Sequence, residues 1–194
     1  MNDILKTHRA EIARALRNHQ YERMESGVLF TKQKLMATGA FVTRVNGEDE
    51  RIDPNMVVNQ GLDDVLNVYF GNVAKRVNFY LAPFSGSGAI TAGLTAATFP
   101  STQTEFTNYT ESGRVAWTAP TTTSTQSLGN TASPARFTIG TGGGTIWGAA
   151  MTTVQTKSST SGVLVAASLF SASRVLLAAD KLDIEYILTA SDSP

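Results

Sequence analysis

The sequence predicts a mainly β fold: an antiparallel β-sandwich of jelly-roll-like type, with an N-terminal helical arm and one short amphipathic helix at about residues 60–70. Three observations lead there. Short runs of strand-forming residues recur along the chain, separated by turn-forming clusters such as "TTTSTQSLGNTASP" and "TKSSTSG". Between Phe84 and Ser173 only Glu105, Glu111, Arg114, Arg136 and Lys157 are charged, so much of that region's surface is expected to be covered. Finally, helical spacing gives way to extended segments near residue 27, which divides the chain into an arm, 1–27, and a sandwich body, 28–194.

The arm reads as a helix over residues 2–25. Asn2 or Asp3 can cap its first amides, Ala10, Ala13, Ala15, Leu16 and Arg17 favour helix, and Ser26-Gly27 ends it. Leu5, Ile12 and Leu16 share one face, while Arg9, Glu11, Arg14 and Glu22 lie around the rest. So narrow a stripe cannot hold a helix in a core. The arm is therefore expected to lie on another surface, with Leu5, Ile12 and Leu16 as its contact residues. His8 and His19 are the only histidines. Their spacing corresponds to about 16 Å of helical rise, too far to chelate one ion.

Extended segments open the body in "VLFTKQKLMATGAFVTRV", followed by a polar turn at "NGEDE", Asn46 to Glu50. Next comes "PNMVVNQGLDDVLNVYFGN", read as a helix capped by Asn59 and stopped by Gly71. Leu62, Val65, Leu66 and Tyr69 stand at i, i+3, i+4 and i+7, an apolar face expected to pin the helix to the sandwich. Asp63 and Asp64 then face water in the first turn, where the helix dipole favours negative charge. Neighbouring helix positions diverge by about 100°, so these two acids do not converge as an acid–base pair.

Strands are expected at "RVNFYLAPF", "GRVAWTA", "ARFTIG", "GTIWGAAM", "GVLVAASLF" and "KLDIEYILTA". The last alternates most clearly, with Leu182, Ile184, Tyr186 and Leu188 on one side. "GTGGGT", Gly140 to Thr145, lacks the Lys-Ser/Thr of a phosphate-binding loop. It reads as a glycine-rich hairpin joining "RFTI" to "TIWGAAM".

Composition narrows the function classes. Sixteen basic residues balance sixteen acidic ones, so charge gives no reason to expect nucleic acid or an anionic membrane as partner. The absence of cysteine removes disulfides, thiolate metal sites and cysteine nucleophiles. The polar N-terminus does not resemble a signal peptide, and no run reaches the roughly 18 apolar residues of a membrane helix. With both histidines in the arm, a Ser-His-Asp triad cannot be placed in the β region. Neither enzyme activity nor a cofactor is expected. Trp117, Trp147, Tyr80, Tyr109 and Tyr186 read as core or interface residues; exposed together on one sheet face, they would suit a carbohydrate-binding module.

The order of the pieces carries a resemblance. "MVVNQGLDDVLNVYFGN", "VNFYLAPF", "TEFTNYTESGRVAWTA", "NTASPARFTI", "IWGAAMTT", "SSTSGVLVAASLF" and "DKLDIEYILTAS" together resemble small virion structural proteins of tailed bacteriophages, over roughly residues 54–190. The resemblance implies a non-enzymatic virion component. Within that group, capsid cement or decoration proteins combine a jelly-roll-like body with an extended arm. The implied partners are the major capsid protein and copies of the chain itself, with no specific nucleic acid and no membrane. The implied location is the capsid surface of a virion made in the bacterial host cytoplasm. A tail or head-tail joining protein is the alternative within the same class.

Overall fold

The computed structural model describes residues 13, 21–23, 29–31, 34–119 and 125–193. In chain order the elements are β1 (Tyr21–Arg23), β2 (Leu29–Thr31), β3 (Lys34–Val45), β4 (Glu48–Pro54), β5 (Met56–Val57), α1 (Asn59–Tyr69), β6 (Phe79–Phe84) and α2 (Phe99–Thr102). They continue with β7 (Val115–Trp117), β8 (Ser127–Gly129), β9 (Ala135–Thr138), β10 (Gly144–Thr152), β11 (Leu164–Leu176) and β12 (Lys181–Ser193). The protein is mainly β, as expected.

β1 and β2 pair antiparallel, Tyr21 opposite Thr31. This corrects the end of the expected helix over 2–25. Tyr21 and Phe30 favour extended backbone, and pairing satisfies the polar groups that a helix would otherwise have satisfied. Leu5, Ile12 and Leu16, like His8 and His19, lie outside the described residues.

Residues Ala37–Ala190 form the main unit, built on two open antiparallel sheets. The first runs β5-β11-β10-β6-β7, and the second β4-β3-β12-β8 with β9 also paired to β12. In the first sheet Ala150 sits between Ala82 and Ala167. In the second, Ile184 faces Ala135 and Leu188 faces Leu128.

The main core lies between the sheets, where Leu81, Ile146, Met151 and Val165 meet Phe41, Phe137, Leu182, Ile184 and Tyr186. A second cluster covers the opposite face of the first sheet: Ala82, Phe84, Ala150, Leu164 and Ala167 lie under Leu94, Ala96 and Phe99. Phe99 belongs to α2, within the long connection after β6 that had no readable periodicity. Its burial is worth about 1.5–3 kcal/mol. A sheet buried on both faces explains why β10 and β11 read as nearly continuous apolar runs.

Local readings change in three places. Asn46 and Gly47 alone make the turn between β3 and β4, with φ of 54° and 84°, and the acidic residues after them are already in β4. The cluster "TTTSTQSLGNTASP" contains β8. The glycine-rich stretch is no hairpin. β9 pairs in the second sheet and β10 in the first, so Gly140–Gly144 carries the chain from one sheet to the other. Gly142 and Gly143 take φ of 92° and 66° there, and a Cβ on Gly143 would meet the Leu176 carbonyl oxygen at 2.3 Å.

Candidate interaction surface

Helix α1 is expected from its apolar spacing, and it forms. Its start differs from the reading: extended Val58 is the cap residue, and Asn59, already helical, donates its N–H to the Ala92 carbonyl at 2.9 Å. Gln60 then fastens the first turn. Its Oε1 accepts from the N–H groups of Ala96 at 2.8 Å and Leu164 at 2.9 Å, tying helix, loop and β11 together. Gly71 follows the helix and donates its N–H to the Leu66 carbonyl at 3.3 Å.

The helix faces the opposite way from the expectation. Gly61 is its buried residue, and the side turned to the sandwich carries Gly61, Asp64 and Val68. The residues expected to pin it are exposed: Leu62 at 41%, Val65 at 53%, Leu66 at 54% and Tyr69 at 81%, with Phe70 at 80%. The cause is steric. A Cβ on Gly61 would stand 2.3 Å from the Val165 carbonyl oxygen, so only a glycine can face β11 at this separation. That contact fixes the rotation of the helix and turns its apolar stripe outward.

The acids separate accordingly. Asp63 is exposed, whereas Asp64 is largely covered and accepts from Arg76 Nη2 at 2.7 Å and Nε at 3.1 Å. Both lie beyond the first turn, which holds no acidic residue. They form no converging pair.

Beneath α1 lies a cleft of about 250 Å³ walled by Val68, Phe79, Trp117, Met151 and Tyr186, its mouth flanked by the exposed Val65 and Tyr69, Lys75 and the Asp64–Arg76 pair. Trp117 stands edge-on to Phe79 with centroids 6.0 Å apart, and its Nε1–H donates to the Tyr186 carbonyl at 2.9 Å. Such walls can exclude water and receive apolar groups.

The sparse charges between Phe84 and Ser173 proved informative in a way that spacing did not reveal. All five are engaged. Arg114 is fully buried and makes a two-point ion pair with Glu105, at 2.8 and 2.6 Å. It also donates to Thr152 Oγ1 at 3.1 Å and to the carbonyls of Val154 at 3.1 Å and Ser159 at 3.2 Å. Arg136 pairs with Asp183 through two bonds, at 2.7 and 2.8 Å. Glu111 accepts from the Thr138 N–H at 3.0 Å. Lys157 donates to the Tyr109 carbonyl at 2.8 Å and stands 3.6 Å from the centre of the Tyr109 ring. Elsewhere Arg44 bonds both Glu185 and Glu50. Isolated charges inside a charge-poor stretch were the available signal for these links.

Burial raises the pKa of the Tyr109 phenol, reinforced by the Glu105 charge, and burial likewise raises that of Tyr186 against the opposing hydrogen bond from Asn55. Burial lowers the Lys157 pKa. Of the aromatic residues weighed for sugar stacking, Tyr109 and Tyr186 are buried, and Trp117, Trp147 and Tyr80 are half-buried. Among the described residues no group of three or more His, Asp or Glu could hold a metal ion, and no helix is long and apolar enough to cross a membrane.

No protein family, curated protein or solved structure matches this chain. The candidate surface therefore rests on its own geometry: an apolar helix face, seated on β11 through Gly61 and Gln60, on a body whose central charges are spent internally.

Proposed function

We propose that this chain is a non-enzymatic virion structural protein of a tailed bacteriophage, a capsid cement or decoration protein that bridges subunits of the major capsid protein shell. One observation carries the reading: α1 presents Leu62, Val65, Leu66, Tyr69 and Phe70 to the outside from a fixed seat on the sandwich. An apolar face of this kind is a surface made to be covered. The resemblance of residues 54–190 to virion structural proteins supports the same class, with the sandwich acting as a jelly-roll-like body.

In this reading the arm lies across neighbouring capsid subunits through Leu5, Ile12 and Leu16, and the body contacts copies of itself. Each contact can be weak, because one engaged contact raises the effective concentration for the next. The protein then acts at the capsid surface by stoichiometric binding.

The test is a deletion of residues 1–25. The truncated chain should keep a folded body and lose binding to purified capsids. Binding as tight as that of the full chain would sink the arm's assigned role. Locating and counting the protein in assembled particles separates a shell-wide cement from a tail or head-tail component.

A further inference from the structure

We propose that the outward face of α1 is a self-association surface, pairing with the same face of a second copy of this chain about a two-fold axis. The proposal deepens the reading above by assigning its copy-to-copy contact, and it rests on that reading for its biological setting.

Area is the first argument. Leu62, Val65, Leu66, Tyr69, Phe70 and Val73 are all exposed on or just past the helix. Together they present on the order of 650 Å² of surface, and with the exposed Asp63 and Asn67 between and beside them the patch approaches the roughly 800 Å² that each partner gives to a standard interface. It includes two neighbouring aromatic rings at the end of the helix, Tyr69 and Phe70, with centroids 5.3 Å apart. Aromatic anchors surrounded by aliphatic side chains are the usual energetic centre of such a contact.

Charge is the second argument, and it selects a copy of the same chain. A patch that meets itself must not repel itself. Here Asp64 and Arg76 neutralise each other within the chain, leaving Asp63 near the helix start and Lys75 beyond its end. Two α1 helices set antiparallel across a two-fold axis bring Asp63 toward Lys75 of the second copy, twice. The arrangement is self-complementary, as an isologous interface requires. The whole chain adds no opposition, since its formal net charge is zero.

Rigidity is the third. The Gly61–Val165 contact, the Gln60 hydrogen bonds and the Asp64–Arg76 pair hold the helix before any partner arrives. Little ordering entropy then remains to be lost on association.

Sedimentation velocity on the full chain at micromolar concentration tests this. The wild-type protein should be a dimer. Leu66→Asp and Tyr69→Asp should each raise the dimer dissociation constant about 30-fold or more while leaving the far-ultraviolet circular dichroism of the body unchanged. Asp63→Lys and Lys75→Asp should each weaken the dimer, and the double exchange should restore it. A monomeric wild type, an assembly larger than a dimer, a dimer indifferent to Leu66→Asp, or a double exchange that fails to restore pairing would each overturn the proposal. Capsid binding is scored separately. A wild-type dimer that ignores capsids defeats the functional reading alone, and a monomer that binds them defeats the pairing alone.

Discussion

The Val165 carbonyl occupies the space where a side chain on Gly61 would begin: the oxygen lies 2.3 Å from an ideal Cβ position. The same carbonyl accepts the Val58 N–H at 3.2 Å, so β11 receives the entry to α1 and its first turn at one point. Through this contact the backbone, rather than the apolar stripe, decides which way the helix faces.

Gly61→Ala is therefore expected to destabilise the body by about 1–3 kcal/mol, because the added methyl must push helix and sheet apart. Leu66→Ala, on the exposed face, should change the stability of the isolated chain by no more than about 0.5–1 kcal/mol. Urea unfolding at low protein concentration compares the two. A larger cost for Leu66→Ala than for Gly61→Ala would mean that the stripe packs inward after all.

The Glu105–Arg114 pair gives a second expectation. Both side chains are almost wholly removed from water, so truncating either one strands the other as a buried charge. Glu105→Ala and Arg114→Ala should each cost about 3–5 kcal/mol. Replacing both by apolar residues of similar size, Glu105→Leu with Arg114→Met, should cost clearly less than the two single losses added together. A double-mutant cycle in denaturant measures the difference, and simple additivity would show that the pair is not coupled.

Alkaline pH supplies the third. Tyr109 and Tyr186 keep their protons in the folded chain well above the value near 10 at which an unfolded tyrosine ionises. With folded pKa values raised, their contribution is fully present below about pH 10 and is lost as pH rises through the folded values. Lys157 acts with the opposite sign just below that window, its folded pKa being lowered by burial. Stability should thus fall by up to about 2.7 kcal/mol per pH unit above 10 from the two phenols together. Ultraviolet titration should show two of the five tyrosines ionising only as the chain unfolds. Five tyrosines titrating together near pH 10 in the folded protein would contradict the burial of these two.

Much of the fold was legible because its signals are local. The alternation of Leu182, Ile184 and Tyr186 marks β12 directly, and the helix at α1 follows from its 3.6-residue spacing. The facing of α1 was not legible, since it depends on Val165, far along the chain from Gly61. Apolar spacing reports that a helix has an apolar face; it does not report what covers that face. Asp64 misleads for a related reason, because its partner Arg76 lies past the helix end rather than within it. The glycine-rich corner was misread because closeness in sequence suggests pairing between β9 and β10. β9 instead pairs with β12, and β10 lies between β6 and β11. The arm's contact residues Leu5, Ile12 and Leu16 fall outside the described residues, so that part of the candidate site stands on sequence alone.

The placement of β12 bears on how the chain is made. β12 follows all the strands it joins, yet it lies in the interior of its sheet, between β3 on one side and β8 and β9 on the other. Until it emerges, the β3–β4 hairpin and the strands β8 and β9 have nothing to join them. β5 waits in the same way for β11. Closing sheets across such long separations is slow, and it leaves strand edges open in the meantime. Closure of this body accordingly waits on β11 and β12 rather than growing from the first strands.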